Sequence, residues 1–287
     1  MDKSSQRILL KDGRMLGFAQ YGDPKGKPLF YFHGWPVSRF CAKKFDVFGK
    51  KLHVRIIAPD RPGYGLSEYK KNRTILDWPD DVVELANYLK IKKFSIVGVS
   101  GGGPYSAVCA YKIPERIIRA GIAVGLAPTT VPHILDGMPW MGKMSWGNYP
   151  KFRLLRTTAA LMQEFMTKMS PSLGLHRFMF GAKSDNKLYA DPEIRSAMKA
   201  DTREAYRSGF RGPALDLELY TKDWGFDLEK IRADVYLFYG SDDTNVPIAM
   251  GKYYAAHIPK SKLKVYPGEG HLLFMTHAGE ILRTLTT

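Results

Sequence analysis

A serine, an aspartate and a histidine stand where each could take part in nucleophilic catalysis. The serine is Ser100, in Gly98-Val99-Ser100-Gly101-Gly102. A hydroxyl is a poor nucleophile until a base takes its proton, and that base needs a third group to fix its tautomer and stabilise its charge. Of the seven histidines, only His257, His271 and His277 lie after the last strand-like runs begin. His271 stands in a Gly-rich turn, Pro267-Gly268-Glu269-Gly270-His271-Leu272, whereas His257 and His277 fall within helix-like segments. The apolar run Val235–Tyr239 ends in Gly240-Ser241-Asp242-Asp243-Thr244-Asn245-Val246-Pro247. Two carboxylates compete there, and the pattern Gly-x-x-Asp-x-x-Val-Pro selects Asp243, leaving Asp242 to loop chemistry.

Acyl transfer also needs two backbone N–H groups aimed at the developing oxyanion. Gly101, directly after the serine, offers one. The loop His33-Gly34-Trp35-Pro36 offers the other at Trp35, because Pro36 has no N–H. His33 precedes the serine in the chain, and its expected role is to shape this loop by hydrogen bonding. No Gly-x-Gly-x-x-Gly and no Gly-Lys-Ser/Thr accompanies the serine, which argues against a dinucleotide or phosphate loop.

These groups must be carried by a rigid frame. Phe94–Val99 is an apolar, β-branched run that turns at Ser100 into a helical segment, Tyr105–Lys112, stopped by Pro114. Such a turn exposes its apex residue with a strained backbone, often at φ > 0, and leaves room for only small residues two positions to either side. Leu29–Phe32, Val54–Ala58, Ile117–Val124, Val235–Tyr239 and Val265-Tyr266 read as further strands, and the short apolar ones suit a buried parallel sheet. Ile8–Leu10 and Leu16–Tyr21 flank the hairpin signal Asp12-Gly13. Helices are expected over Ser38–Lys51, over Thr74–Lys90 with Thr74 as N-cap, and over Leu272–Leu285. Alternating strands and helices predict an α/β fold with a mostly parallel sheet.

The alternation breaks between Pro128 and Pro213, a stretch rich in Met, Arg and Lys that reads as helices and loops. It is expected to be a helical insertion at residues 128–215, with the core formed by residues 1–127 and 216–287. Its apolar residues, Met138, Trp140, Met141, Met144, Trp146, Phe165, Met166, Phe178, Met179 and Phe180, are expected mostly to pack together, a minority lining a substrate cavity.

A chain of 287 residues with 45% hydrophobic content suits one large domain, or one with an insertion. The two cysteines, Cys41 and Cys109, imply neither a disulfide framework nor a metal site and are expected as reduced thiols. The first residues have no apolar core, and no run approaches a membrane span, so a cytoplasmic location is expected. The formal charge of +15 is dispersed in pairs such as Lys43-Lys44 and Lys92-Lys93 without a nucleic-acid module, leaving attraction of an anionic substrate or surface as its functional reading.

In chain order, His33-Gly34-Trp35-Pro36, Asp60-Arg61-Pro62-Gly63-Tyr64-Gly65-Leu66-Ser67, Gly98–Gly102, Gly240–Pro247 and Gly270-His271 resemble the motifs of the α/β-hydrolase superfamily, in its single-domain branch with a helical cap. The resemblance runs from about residue 6 to the C-terminus. It implies an eight-stranded, mostly parallel sheet, a Ser100-Asp243-His271 triad, an oxyanion hole at Trp35 and Gly101, and no metal or cofactor. It also implies that Asp60–Ser67 is a largely structural turn, with Arg61 packed against the elbow. Relatives with an aspartate at the elbow, the dehalogenases and epoxide hydrolases, are excluded by Ser100. Relatives of the prolyl aminopeptidase type carry His-Gly-Gly-Pro-Gly, which His33–Val37 does not match, and hold a substrate amine with carboxylates for which Glu164 and Glu204 are available here. The expected activity is hydrolysis of carboxylic esters with a hydrophobic or aromatic group, through an acyl-enzyme. The same triad serves perhydrolysis and amide, lactone or C–C cleavage, and some relatives are receptors with vestigial turnover.

Overall fold

The computed structural model describes residues 3–148, 152–169 and 181–287. Eight strands form one sheet in the order β1-β2-β4-β3-β5-β6-β7-β8. They are β1 (Gln6–Leu9), β2 (Met15–Gly22), β3 (Lys27–Phe32), β4 (Val54–Pro59), β5 (Phe94–Val99), β6 (Ile117–Ala123), β7 (Val235–Gly240) and β8 (Ser261–Tyr266). β2 runs antiparallel to both β1 and β4, and every other pairing is parallel.

The period-2 alternation of each strand divides the apolar core into two. Phe30, Phe32, Phe94 and Ile96 face one layer, with Trp78, Val82 and Leu85 of helix Trp78–Tyr88, Val108 of helix Gly103–Lys112 and Tyr254 of helix Ile248–His257. Leu29, Tyr31, Val97 and Val99 face the other, with Cys41, Phe45, Ile281 and Leu285. Helices thus cover both faces, and the parallel strands deliver their C-terminal loops to one edge. The loops after β3, β5, β7 and β8 carry Trp35, Ser100, Asp243 and His271.

The structure differs from the sequence reading at several elements. Ser38–Lys51 is a 3-10 stretch, Arg39–Phe45, followed by a short α-helix, Asp46–Lys51. Its buried Arg39 gives Nη1 to Asp60 and Glu204 at 2.8 Å each, while Asp60 also receives the Arg39 N–H. Glu204 is thereby committed to an ion pair. The closing helix is broken at His277 into one turn, Leu273–Thr276, and Ala278–Thr286; the His277 ring lies over Tyr266 at 4.2 Å. β8 begins four residues before Val265, because Lys262 and Lys264 interrupt its apolar pattern, as suits an edge strand.

Between β6 and β7 the described residues are helical or irregular, with helices Arg153–Met169, Lys183–Ala190, Pro192–Ala205 and Arg211–Tyr220. The last of these runs across the boundary expected at residue 215. Met138 is buried, Met166 is half-buried and Trp146 packs between Trp35 and Tyr220, while Trp140, Met144 and Phe165 are exposed. Helix Arg153–Met169 buries the small residues Ala160 and Thr167, one heptad apart, and turns Met162 and Phe165 outward. Phe178, Met179 and Phe180 lie outside the described residues. Cys41 and Cys109 are buried free thiols. Among the described residues no helix is long and apolar enough to cross a membrane.

Candidate active site

β5 runs straight into a 3-10 turn, Ser100–Gly102, and then into helix Gly103–Lys112. Ser100 has φ 54°, in the left-handed region. The two glycines beside it are required by contact. A Cβ on Gly98 would sit 2.1 Å from the Gly102 carbonyl oxygen, and one on Gly102 would sit 2.2 Å from the Phe32 carbonyl oxygen. The turn therefore packs backbone on backbone and pushes the Ser100 side chain to the cavity side of the sheet edge.

His271 Nε2 lies 3.0 Å from Ser100 Oγ, and its Nδ1 lies 2.8 Å from Asp243 Oδ2. A carboxylate oxygen only accepts, so Nδ1 carries the proton and Nε2 is left to accept from the serine hydroxyl. Asp243 is buried, and its Oδ1 accepts from the N–H groups of Asn245 and Val246 at 2.8 and 2.9 Å. Asp242 is exposed and accepts from the Ser241 hydroxyl. His257 donates to its own helix at Tyr253 O, and His277 pairs with Glu269. The structure thus joins Ser100, His271 and Asp243 and leaves the competing residues elsewhere.

Burial of His271 works against its charged form. The charge of Asp243 and its hydrogen bond, together with the charge of Asp185, work for it, and the balance lifts the imidazole above its ordinary value.

The other side of Ser100 is the His33–Ser38 loop. A Cβ on Gly34 would lie 3.2 Å from Ser100 Cβ, and one on Gly101 would lie 3.1 Å from Trp35 Cβ, so Trp35 and Gly101 are neighbours beside the serine. His33 is wholly buried. Its Nδ1 donates to Gly34 O at 2.8 Å, and its Nε2 accepts the Arg61 N–H at 3.1 Å. Burial, with Arg61 close by, holds it far below the usual imidazole range, so it stays neutral and structural. Arg61 lies with its guanidinium over the Tyr105 ring, at 4.7 Å, on the helix that the elbow opens into. Its guanidinium donates to the carbonyls of His33 and Gly34, and its Nε to Asp216 Oδ2 at 2.8 Å. The geometry requires it, because the loop turns these two carbonyls inward, where only a buried donor can satisfy them.

Asp216, on helix Arg211–Tyr220, was invisible in the sequence. Wholly buried, it accepts from Arg61, from Arg73, from Tyr64 at 2.8 Å and from Tyr105 at 2.6 Å. The same helix touches the site twice more: the Tyr220 hydroxyl donates to Gly101 O at 2.9 Å, and Trp35 Nε1 donates to Pro213 O at 2.9 Å.

Asp201, on helix Pro192–Ala205, holds the loop's far end. Its Oδ1 accepts from the Ser38 N–H at 2.8 Å and the Ser38 hydroxyl at 2.5 Å. Burial pushes it up to about 7, against the pull of the Ser38 bonds. A raised folded value means stability that is complete below the unfolded carboxylate value, near 4, and lost as the pH rises through about 7. Asp201→Asn is therefore expected to gain in Tm on the wild type between pH 5 and pH 8, and to match it below pH 4. Melts at those pH values check this; a wild-type advantage that grows toward pH 8 would contradict it.

A cavity of about 790 Å³ opens over Ser100 and His271, walled by Trp35, Met198, Phe274 and Met275. Apart from the half-buried Trp35, these are apolar side chains that the sequence reading did not single out, drawn from the helix Pro192–Ala205 and the turn after β8. Among the described residues no group of three or more His, Cys, Asp and Glu side chains could hold a metal ion.

Residues 27–278 match the family model of the alpha/beta hydrolase fold. The chain belongs to that family. A bifunctional esterase/perhydrolase of Acinetobacter calcoaceticus is 24% identical to this chain over 97% of each. A non-heme chloroperoxidase of Streptomyces lividans is 25% identical over 94% of each. Among solved structures, a hydrolase from Pseudomonas aeruginosa superposes with a TM-score of 0.75 at 19% identity, covering 98% of this chain and 97% of that one, a likeness of fold.

Proposed function

We propose that the protein hydrolyses carboxylic esters through an acyl-enzyme on Ser100. The observation that carries this is the continuous relay Asp243–His271–Ser100, with Trp35 and Gly101 beside the nucleophile and a largely apolar cavity above it. Ser100 Oγ attacks the ester carbonyl as its proton passes to His271 Nε2. The backbone N–H groups of Trp35 and Gly101 take the negative oxygen, where removing one such donor lowers kcat by about 10²–10³-fold. His271 then returns the proton to the departing alcohol, leaving acyl-Ser100. A water molecule, deprotonated by His271, attacks this acyl group and frees the acid and the serine. Asp243 keeps Nδ1–H in place and offsets the imidazolium charge. No metal or cofactor enters these steps. Residues 128–215 serve as a cap, contributing Met198 to the cavity wall.

The esterase half of the Acinetobacter relative's name agrees with this reading. Its perhydrolase half marks a second outcome of the same intermediate: hydrogen peroxide in place of water would yield a peracid. Labelling by a fluorophosphonate and turnover of p-nitrophenyl esters of graded length, with and without peroxide, test both. Unlabelled protein with no turnover above background would remove the proposal and favour a binding or signalling role.

The cavity wall makes a sharper prediction. Met198 is 6% exposed and lines the pocket. Met198→Trp is expected to raise KM for the longest ester accepted by roughly tenfold or more while sparing acetate esters, since each excluded methylene is worth about 1–3 kcal/mol. A uniform loss across chain lengths would place Met198 off the acyl path.

A further inference from the structure

Three consecutive N–H groups of the His271 turn are received by two side chains from one helical turn. Helix Lys183–Ala190 starts beside the loop that follows β8, and Ser184 and Asp185 occupy its first turn. Ser184 Oγ accepts from Gly270 N–H at 3.0 Å. Asp185 Oδ2 accepts from His271 N–H and Oδ1 from Leu272 N–H, both at 2.8 Å. Asp185 is 1% exposed, and the approach is so close that a Cβ on Gly270 would lie 2.3 Å from its Oδ2. Both carboxylate oxygens are therefore spent on the backbone of the residue that faces Ser100 and of the next one.

An aspartate buried at this spot bears a desolvation penalty that an asparagine or serine would avoid. Two N–H bonds and the first turn of its own helix compensate in part. We propose that Asp185 is a positioning residue for the general base: it sets the His271 turn against Ser100 and lends a second negative charge to the imidazolium formed in each turnover. The proposal rests on His271 acting as the base. The groups facing His271 are Asp243 from the loop after β7, Ser100 from the end of β5 and Asp185 from helix Lys183–Ala190; Asp185 in turn faces His271 and the charge of Asp243. Burial raises Asp185, the Leu272 and His271 N–H bonds and the His271 charge lower it, and the remainder is upward.

Charge and geometry separate by substitution. Ser184→Ala removes one anchor of the turn without altering charge. Asp185→Asn and Asp185→Ser remove the charge as well, and of the two the better folded, judged by its melt, is the one read. The measurements are the pH profile of kcat/KM on a neutral p-nitrophenyl ester and the titration of the His271 ring by NMR without substrate. Ser184→Ala is expected to lower kcat a few-fold with the acid limb unmoved. The neutral Asp185 variant is expected to lower kcat by roughly tenfold and to shift the acid limb and the NMR titration down by on the order of one pH unit. Titrations that stay at the wild-type value in the neutral variant, or that shift equally in Ser184→Ala, overturn the proposal. Because the NMR titration needs no turnover, it reads Asp185 even if the ester chemistry is wrong, whereas absent turnover with a shifted titration faults only the proposed reaction.

Discussion

Ser100→Ala is expected to remove at least four orders of magnitude of kcat on p-nitrophenyl esters while leaving the melt within a few degrees of the wild type. The size follows from the relay. With Oγ gone, His271 Nε2 has no hydroxyl within reach, and the remaining donors can only stabilise attack by water, for which a residual of about 10³–10⁴ over the uncatalysed rate is typical. The fold is spared because, among the described residues, Ser100 Oγ bonds to His271 alone, while the turn is held by backbone contacts at Gly98 and Gly102 and by Leu126 N–H donating to Ser100 O at 3.0 Å. Alanine also accepts the left-handed φ of 54° at about the same strain as serine. Steady-state rates and fluorophosphonate labelling read the outcome. Turnover within tenfold of the wild type, or labelling that persists, would move the nucleophile elsewhere.

Ser100, Asp243 and His271 were legible in the sequence for a local reason. Ser100 and Asp243 follow apolar runs and His271 follows the short Val265-Tyr266 signal, each inside a turn whose glycines announce tight backbone packing: Gly98 and Gly102, Gly240, Gly270. Strand edges and turn chemistry are short-range, so a single sequence carries them. Asp185, Asp201 and Asp216 were illegible for the opposite reason. Their partners lie 86 residues downstream at His271, 163 upstream at Ser38 and 155 upstream at Arg61. In the sequence each is one more polar residue on a helix, the pattern a solvated face also has. Arg61 stood in a recognisable turn, yet its grip on the His33 and Gly34 carbonyls appears only once β3 and β4 lie side by side. The three aspartates lie on three successive helices between β6 and β7, and each ends on a loop of the site. Reading the segment for its apolar residues, which do join the core at Met138 and Met198, missed that carboxylates tie it to the loops of the site as well.

Asp216→Ala is expected to be the most destabilising single change at these contacts. Arg61 is fully buried and Arg73 nearly so, and both direct their guanidinium groups at this one carboxylate. Taking it away leaves two buried cations without a counter-charge and two tyrosine hydroxyls, Tyr64 and Tyr105, without their acceptor. Removing one partner of a buried pair destabilises by about 3–5 kcal/mol, and two cations share the loss here. At roughly 2–4 °C per kcal/mol for a chain of this size class, Tm should fall by about 10 °C or more. The pH dependence has a definite sign. Burial alone would raise Asp216, but Arg61 and Arg73 hold it far below the usual carboxylate range. A depressed folded value contributes stability that is present above the unfolded value, near 4, and lost only as the pH falls through the folded one. The gap between wild type and Asp216→Ala should thus be full at pH 7 and narrow only below about pH 4. Activity should fall further than the melt explains at temperatures where the variant is folded, because Arg61 then loses the anchor that aims it at the His33 and Gly34 carbonyls beside Trp35. If Asp216→Ala does not fold, Tyr64→Phe removes a single donor and should lower Tm by a few degrees with a measurable drop in kcat. Thermal melts from pH 3 to pH 8 and rates below Tm measure all of this. An Asp216→Ala melt within 2–3 °C of the wild type at pH 7 would mean that solvent reaches these arginines and that the loop is held by its own backbone.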